Sequence, residues 1–147
     1  MSRRNATPAL PGGGRGNRRF RALLNVVVPE AAALSEEEWR VAQEIMARAL
    51  AVRPAAVRRQ IGLFMSALDV ASFVRYGRTM PALETDAARH LLEALSKAKL
   101  LFLRRGVWGV RTLAFMGYYA RPEAARAIGY RATASGWADR RGARLPG

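Results

Sequence analysis

The sequence predicts an all-α protein, with one small domain of about five to six helices over residues 18–131. Three observations predict this class. Apolar residues recur at intervals of three and four, which is the period of an α-helix that packs on one side. No stretch shows the apolar–polar alternation of a β-strand. Half of the 147 residues are hydrophobic, which is enough for a single helical core in a chain of one-domain length.

The two ends of the chain are predicted to be tails. Residues 1–17 hold four glycines, two prolines and three arginines but almost no side chain to bury, which predicts a disordered basic tail. The glycine-rich run 12–16 has no strand before it and no Gly-Lys-Ser/Thr motif after it, so it is interpreted as flexible tail rather than a phosphate-binding loop. Residues 132–147 are predicted to be a loose basic C-terminal tail.

The first two helices are delimited by prolines and by one capping motif. Apolar residues on one face of residues 20–28 predict a short first helix, which the following proline ends. Ser35 and Glu38 have the S-x-x-E spacing of a capping box, which predicts the start of a second helix. That helix is expected to end near Arg53, because the residue before a proline is disfavoured in helical geometry.

Two further helices are predicted in the middle of the chain. Pro54 suits the first turn of a third helix, and Gly77 suits its C-terminal cap. A fourth helix is expected from Thr85 to about Leu103, with a bend or break at residues 104–106. The third helix is predicted to bury a wide apolar face made of Val57, Ile61, Phe64, Met65, Leu68, Val70 and Phe73.

The predicted fifth helix, residues 107–120, is apolar nearly all round, and Pro122 then begins a short last helix that ends at Gly129. A helix without a polar face is buried, or it packs on two sides. In so small a domain, a partner protein can supply the second side. Aromatic side chains crowded at a helix junction are also typical of interface hot spots. The candidate partner-binding residues are Trp108, Phe115, Tyr118, Tyr119, Pro122, Ile128 and Tyr130.

The charge balance limits the kinds of partner that the chain is expected to bind, but it does not indicate the fold. There are 25 basic and 11 acidic residues, a formal net charge of +14, and all basic residues except Lys97 and Lys99 are arginines. A GC-rich genome also favours arginine, but it does not explain the shortage of acids. The excess charge suits nucleic acid, anionic lipid or an acidic protein surface. Nucleic-acid binding is therefore the alternative function, although the arginines are scattered over all predicted helices rather than gathered on one. A membrane role is at most peripheral, because it needs a helix with a concentrated basic face.

No residue set in the sequence suits catalysis. The chain has no cysteine and a single histidine, His90, which excludes thiolate chemistry and histidine clusters that hold metal. The acidic residues gather near the start of the second helix, on an apparently solvated face, rather than forming a tuned acid–base pair. No catalytic, cofactor-binding or metal-binding residue is therefore predicted.

The C-terminal helices resemble those of a known family. The pair Tyr118-Tyr119, the pair Pro122-Glu123 and the triplet Ile128-Gly129-Tyr130 resemble the end of the gluconate 2-dehydrogenase subunit 3 family. Residues 20–29 are similar to the opening helix of that family, which also ends in a proline. The resemblance spans about residues 18 to 131 and includes a helix with the pattern Leu83, Arg89 and Leu92.

The resemblance implies a non-catalytic small subunit. It would bind and stabilise a larger FAD-dependent alcohol or sugar dehydrogenase of the glucose-methanol-choline class, and FAD and the proton-abstracting histidine would belong to that partner. A cytochrome or another acceptor would take the electrons. This chain departs from many members in having no cysteine and no convincing twin-arginine signal. A cytoplasmic location is therefore expected, with periplasmic export through a twin-arginine signal as the alternative.

Overall fold

The computed structural model describes residues 8–129, and over that range the predicted all-α class is confirmed. The described residues form six α-helices and two short 3-10 helices, with no strand among them. The 3-10 helices are Pro29–Ala33 and Met80–Ala82. The α-helices are α1 (Gly13–Val27), α2 (Glu36–Ala51), α3 (Ala55–Tyr76), α4 (Thr85–Ser96), α5 (Leu101–Tyr119) and α6 (Pro122–Ala127).

Helix α1 begins at Gly13, seven residues before the predicted start at Phe20. Leu10 is only 2% exposed, so it anchors this part of the chain in the core. Gly12 has a φ of 93°, a conformation that glycine adopts without steric cost, and it turns the chain into the helix. A Cβ at Gly16 would overlap the carbonyl of Pro11. The glycines that suggested a flexible tail thus allow a tight turn, which the composition alone does not reveal.

Helix α2 begins where the capping box predicts. The backbone N–H of Glu38 donates to Ser35 Oγ at 3.2 Å, and the N–H of Ser35 donates to Glu38 Oε2 at 2.8 Å. Arg21 from α1 reaches the same turn, because its guanidinium donates two hydrogen bonds to Glu36, at 2.6 and 3.0 Å. It also lies over the Trp39 ring, 5.6 Å from the centroid. These contacts attach the start of α2 to α1.

Helix α3 has its predicted ends but a different buried face. It begins after Pro54 and ends at Gly77, whose φ of 71° fits the left-handed C-terminal cap. The prediction that Val70 and Phe73 are buried is wrong, since they are 63% and 62% exposed. They lie on the side of α3 that turns away from the core. The buried side instead carries Phe64, Met65, Leu68, Asp69 and Ser72.

Asp69 connects three elements although it is nearly buried. Its Oδ2 pairs with Arg19 Nε of α1 at 2.5 Å, and its Oδ1 accepts the backbone N–H of Met80 at 3.2 Å. Nearby, the Ser72 hydroxyl donates to the carbonyl of Arg78 at 2.6 Å. A buried carboxylate is tolerated because its oxygens are paired in this way. The contacts hold the chain reversal after α3 against α1.

The break between α4 and α5 lies at residues 97–100, not at the predicted residues 104–106. Helix α4 ends at Ser96, and α5 begins at Leu101 and runs through Gly106 without interruption. Gly106 is a packing position rather than a helix breaker, because a Cβ there would overlap the ring of Phe64. The fifth helix is therefore six residues longer at its start than the sequence predicts.

Helix α5 is the centre of the fold and packs against α1, α2, α3, α4 and α6. At Gly117 a Cβ would come within 2.6 Å of Met46 Cγ, which shows how closely α5 approaches α2. Each fully buried Val or Leu side chain in such a core contributes about 1.5–3 kcal/mol. The side of α5 that faces the core carries Val107, Val110, Leu113, Ala114 and Gly117.

None of the helices within residues 8–129 combines the length and the apolar character needed to cross a bilayer.

Candidate protein-binding face

The side of α5 that turns away from the core is apolar and exposed. Residues of a helix advance by about 100° each, so Leu101, Trp108, Phe115 and Tyr119 fall within a stripe about 40° wide. Trp108 is 77% exposed, Leu101 49% and Phe115 46%. We call this surface the α5 outer face, and it comprises Leu101, Trp108, Thr112, Phe115, Met116 and Tyr119.

The α5 outer face is long and carries positive charge at its edges. From Leu101 to Tyr119 it extends about 27 Å along the helix axis, at 1.5 Å per residue. The sequence of α5 contains no acidic residue, and three arginines flank the stripe. An apolar stripe with this border would fit a partner surface with an apolar centre and an acidic rim. The flanking arginines are Arg104, Arg105 and Arg111.

Three predicted partner-binding residues form an aromatic cluster at the C-terminal end of α5. The rings of Phe115 and Tyr119 stack with their centroids 6.1 Å apart and their planes 22° apart. The rings of Tyr118 and Tyr119 meet edge to face, with centroids 4.9 Å apart. Such aromatic pairs contribute about 0.5–1.5 kcal/mol of stabilisation beyond that from the area that they bury. This end of the face is consequently preorganised.

Arg121 contacts the cluster through Tyr118 and is a buried residue that the sequence-based prediction missed. It is 3% exposed, and its guanidinium carbon lies 4.5 Å from the centroid of the Tyr118 ring. Its Nε donates to the carbonyl of Tyr118 at 3.1 Å, and Nη1 lies 3.6 Å from Glu38 Oε1. The only local signal was an arginine directly before the helix-starting Pro122. Glu38 is 83 residues away in the sequence, so no local pattern could indicate the pairing.

The remaining predicted partner-binding residues lie in different places. Trp108 is on the same stripe as Phe115, two helical turns earlier and about 10 Å along the axis. Pro122 begins α6 and Ile128 follows it, and both side chains are exposed. Tyr130 lies outside the described residues. Neither Leu101 nor Met116 was among the predicted residues, although both contribute exposed apolar surface to the same face.

A second exposed apolar stripe lies on α3. It carries large side chains that are each at least 62% exposed. Among the described residues it lacks the stacked aromatic cluster that distinguishes the α5 outer face, so it is the natural comparison surface for mutational tests. Its members are Leu63, Val70, Phe73 and Val74.

The titratable groups with shifted pKa values serve the fold. The pKa of Glu36 is lowered, mainly because Arg21 donates hydrogen bonds to it. The pKa of Glu38 is lowered, mainly by the hydrogen bond from the backbone N–H of Ser35 and then by the Ser35 side chain. His90 is exposed on α4. Within residues 8–129, no group of three or more His, Asp or Glu side chains is placed to hold a metal ion.

No family model matches the chain, and no curated protein or solved structure matches it significantly.

Proposed function

We propose that this chain is a non-catalytic accessory subunit that binds a larger protein through the α5 outer face. One observation carries the proposal: the central helix of the fold buries one side in its own core and presents a row of large apolar side chains on the other. Large apolar side chains exposed along one face of a helix are typical of an interaction site. Trp108, at 77% exposed, is the most prominent side chain of the row.

The energetic gain from covering this face is substantial. A tryptophan side chain buries about 150–250 Å². At about 25 cal/mol per Å², covering the exposed part of Trp108 would contribute roughly 3–5 kcal/mol before the entropic cost of association. The rings of Phe115 and Tyr119 lose little conformational freedom on binding, because they already stack on each other in the free chain. Both features are typical of residues that dominate an interface.

The class of the partner follows from the sequence resemblance. A subunit similar to the gluconate 2-dehydrogenase subunit 3 family would bind a large FAD-dependent alcohol or sugar dehydrogenase of the glucose-methanol-choline class. The flavin and the catalytic groups would lie in that protein. By binding only the folded flavoprotein, the small subunit would stabilise it by mass action. The arginines beside the stripe predict an acidic rim on the flavoprotein surface.

Co-expression with a flavoprotein of the glucose-methanol-choline class tests the proposal. We expect a stoichiometric complex in size-exclusion chromatography and a higher melting temperature for the flavoprotein in the complex. A chain that remains a stable monomer and does not co-purify with the flavoprotein would refute the partner class. If both proteins are well folded and the complex forms, variants of the two apolar stripes then locate the interface.

Nucleic-acid binding is the second candidate, which the formal net charge of +14 favours. Every α-helix carries at least one exposed arginine, among them Arg18 on α1 and Arg126 on α6. This distribution does not form one concentrated basic face. If nucleic acid is the partner, the logarithm of the binding constant for a short duplex should fall linearly with the logarithm of the salt concentration. Absence of binding at low salt removes this candidate.

A further inference from the structure

A cleft lined by arginines lies between α1 and the turn that follows α3. Its volume is about 530 Å³. Helix α1 contributes Arg15, Arg18 and Arg19, α3 contributes Asp69, and the turn contributes Thr79. None of these residues belongs to the α5 outer face, so the cleft is separate from the proposed protein-binding surface.

The charges that line the cleft do not cancel. Asp69 is occupied by Arg19 Nε at 2.5 Å and by the backbone N–H of Met80 at 3.2 Å. Its charge therefore compensates Arg19. Within residues 8–129, neither Arg15 nor Arg18 forms an ion pair or a side-chain hydrogen bond. As far as residues 8–129 are concerned, the cleft thus has two guanidinium groups whose charges no carboxylate compensates.

The position of these arginines on α1 adds to the unbalanced charge. Arg15 is in the first turn of the helix, where the macrodipole is positive and where acidic rather than basic side chains are favoured. No acidic residue lies in that first turn, and the N-cap residue Gly12 provides no side-chain hydrogen bond. A bound anion would supply the negative charge that the sequence omits at this end of the helix.

We propose that this cleft binds the phosphate group of a small phosphorylated molecule. Two uncompensated guanidinium groups match the charge of a phosphate dianion, and arginine donates paired hydrogen bonds that suit phosphate oxygens. The Thr79 hydroxyl adds a neutral donor at the cleft wall. A volume of about 530 Å³ exceeds what a phosphate ion needs, so the organic part of an ester has room beside it.

Calorimetric titration with sodium pyrophosphate tests the proposal, with sodium chloride of equal ionic strength as the reference. The diagnostic variant is the double substitution Arg15→Gln, Arg18→Gln, which spares the Arg19–Asp69 pair. The matched control is Arg53→Gln, Arg59→Gln, which removes the same charge from exposed positions outside the cleft. We expect the cleft variant to bind pyrophosphate roughly tenfold more weakly or worse, because it loses charge-assisted hydrogen bonds to the phosphate oxygens, and we expect the control to bind like the wild type.

The same experiment has outcomes that overturn the proposal. Pyrophosphate that produces no more heat than chloride, or equal losses in both double variants, would show that the arginines act only as diffuse surface charge. A parallel titration with a short DNA duplex separates the sources of phosphate. If the duplex binds in an Arg15- and Arg18-dependent manner while pyrophosphate does not, the cleft contacts a nucleic-acid backbone and the small-molecule proposal is wrong. Circular dichroism confirms that both double variants remain helical.

Discussion

Arg121 Nη1 lies 3.6 Å from Glu38 Oε1, and this contact joins the α5–α6 junction to the first turn of α2. Glu38 is at the same time the second member of the capping box that begins α2. Arg121 in turn lies against the Tyr118 ring and donates to its carbonyl. One carboxylate thus connects a helix start to the support of the aromatic cluster, although the residues are far apart in the sequence.

Replacing Arg121 by lysine should destabilise the junction. Lysine retains the charge but cannot stack on Tyr118 while donating to its carbonyl, and its ammonium is poorly accommodated where Arg121 is 3% exposed. We expect Arg121→Lys to lower the free energy of unfolding by about 1–3 kcal/mol in urea denaturation. The control is Arg126→Lys, at an exposed position of α6, which should change stability by less than about 0.5 kcal/mol. Equal effects of the two variants would contradict a structural role for Arg121.

The lowered pKa of Glu38 leads us to expect that stability depends on pH in the acid range. Its pKa in the folded protein lies below the usual value of 4.5, chiefly because the backbone N–H of Ser35 donates to it. A lowered folded-state pKa stabilises the native state above the unfolded-state pKa, and the stabilisation is lost as pH falls below 4.5 through the folded-state pKa. Glutamine can also serve in a capping box but does not titrate. The free energy of unfolding of Glu38→Gln should therefore fall less steeply than that of the wild type in acid, as measured by denaturation at a series of pH values. Identical slopes would exclude Glu38 as a source of acid sensitivity.

Two glycines of α5, three residues apart, form a matched pair for testing the packing. A Cβ at Gly106 would overlap the buried Phe64 ring, whereas a Cβ at Gly109 meets no atom within 4 Å. Gly106→Ala should lower the unfolding free energy by about 1–3 kcal/mol through overpacking. Gly109→Ala should raise it by about 0.5–1 kcal/mol, because alanine is the better helix former. Thermal unfolding of both variants measures these changes. If Gly106→Ala is more stable than the wild type, α3 and α5 are not in close contact at this position.

Substitution of Trp108 should affect partner binding without affecting the stability of the chain. Because it is 77% exposed, Trp108→Ala should leave the free energy of unfolding of the isolated chain within about 0.5 kcal/mol of the wild type. If the α5 outer face is the interface, the same variant should weaken the complex with the flavoprotein by about 2 kcal/mol or more in a pull-down titration. Phe73→Ala on the α3 stripe is the control and should bind normally. Loss of binding in the Phe73 variant alone would move the interface to α3.

Two tyrosines give a less direct test of the same interface: Tyr118, near the end of α5, and Tyr130, which lies outside the described residues. Tyr118→Ala or Tyr130→Ala is expected to weaken the complex by about 1–3 kcal/mol if these residues are anchors. Tyr118 also lies against Arg121, so its variant requires a stability measurement before any loss of binding is interpreted. If both variants remain folded and co-purify normally, the interface lies elsewhere.

The sequence by itself determined the features that depend on a few neighbouring residues. The capping box of Ser35 and Glu38, the cap at Gly77 and the start of α6 at Pro122 were predictable, because local backbone geometry limits which residues those positions accept. The all-α class followed from the helical period of the apolar residues. The apolar character of α5 was also predictable, but the sequence did not show which of its residues are buried and which are exposed.

Only the tertiary structure decided which apolar residues are buried and where the chain departs from its local preferences. Val70 and Phe73 look like core residues in the sequence, but the neighbours of α3 cover its other side. Leu10 joins the core and draws residues 13–19 into α1, although their composition suits a tail. Gly106 lies inside α5 as a packing position, because a Cβ there would overlap the Phe64 ring. Arg121 pairs with the carboxylate of Glu38, 83 residues earlier. Each of these outcomes depends on atoms distant in the sequence, whose positions no local period or motif specifies.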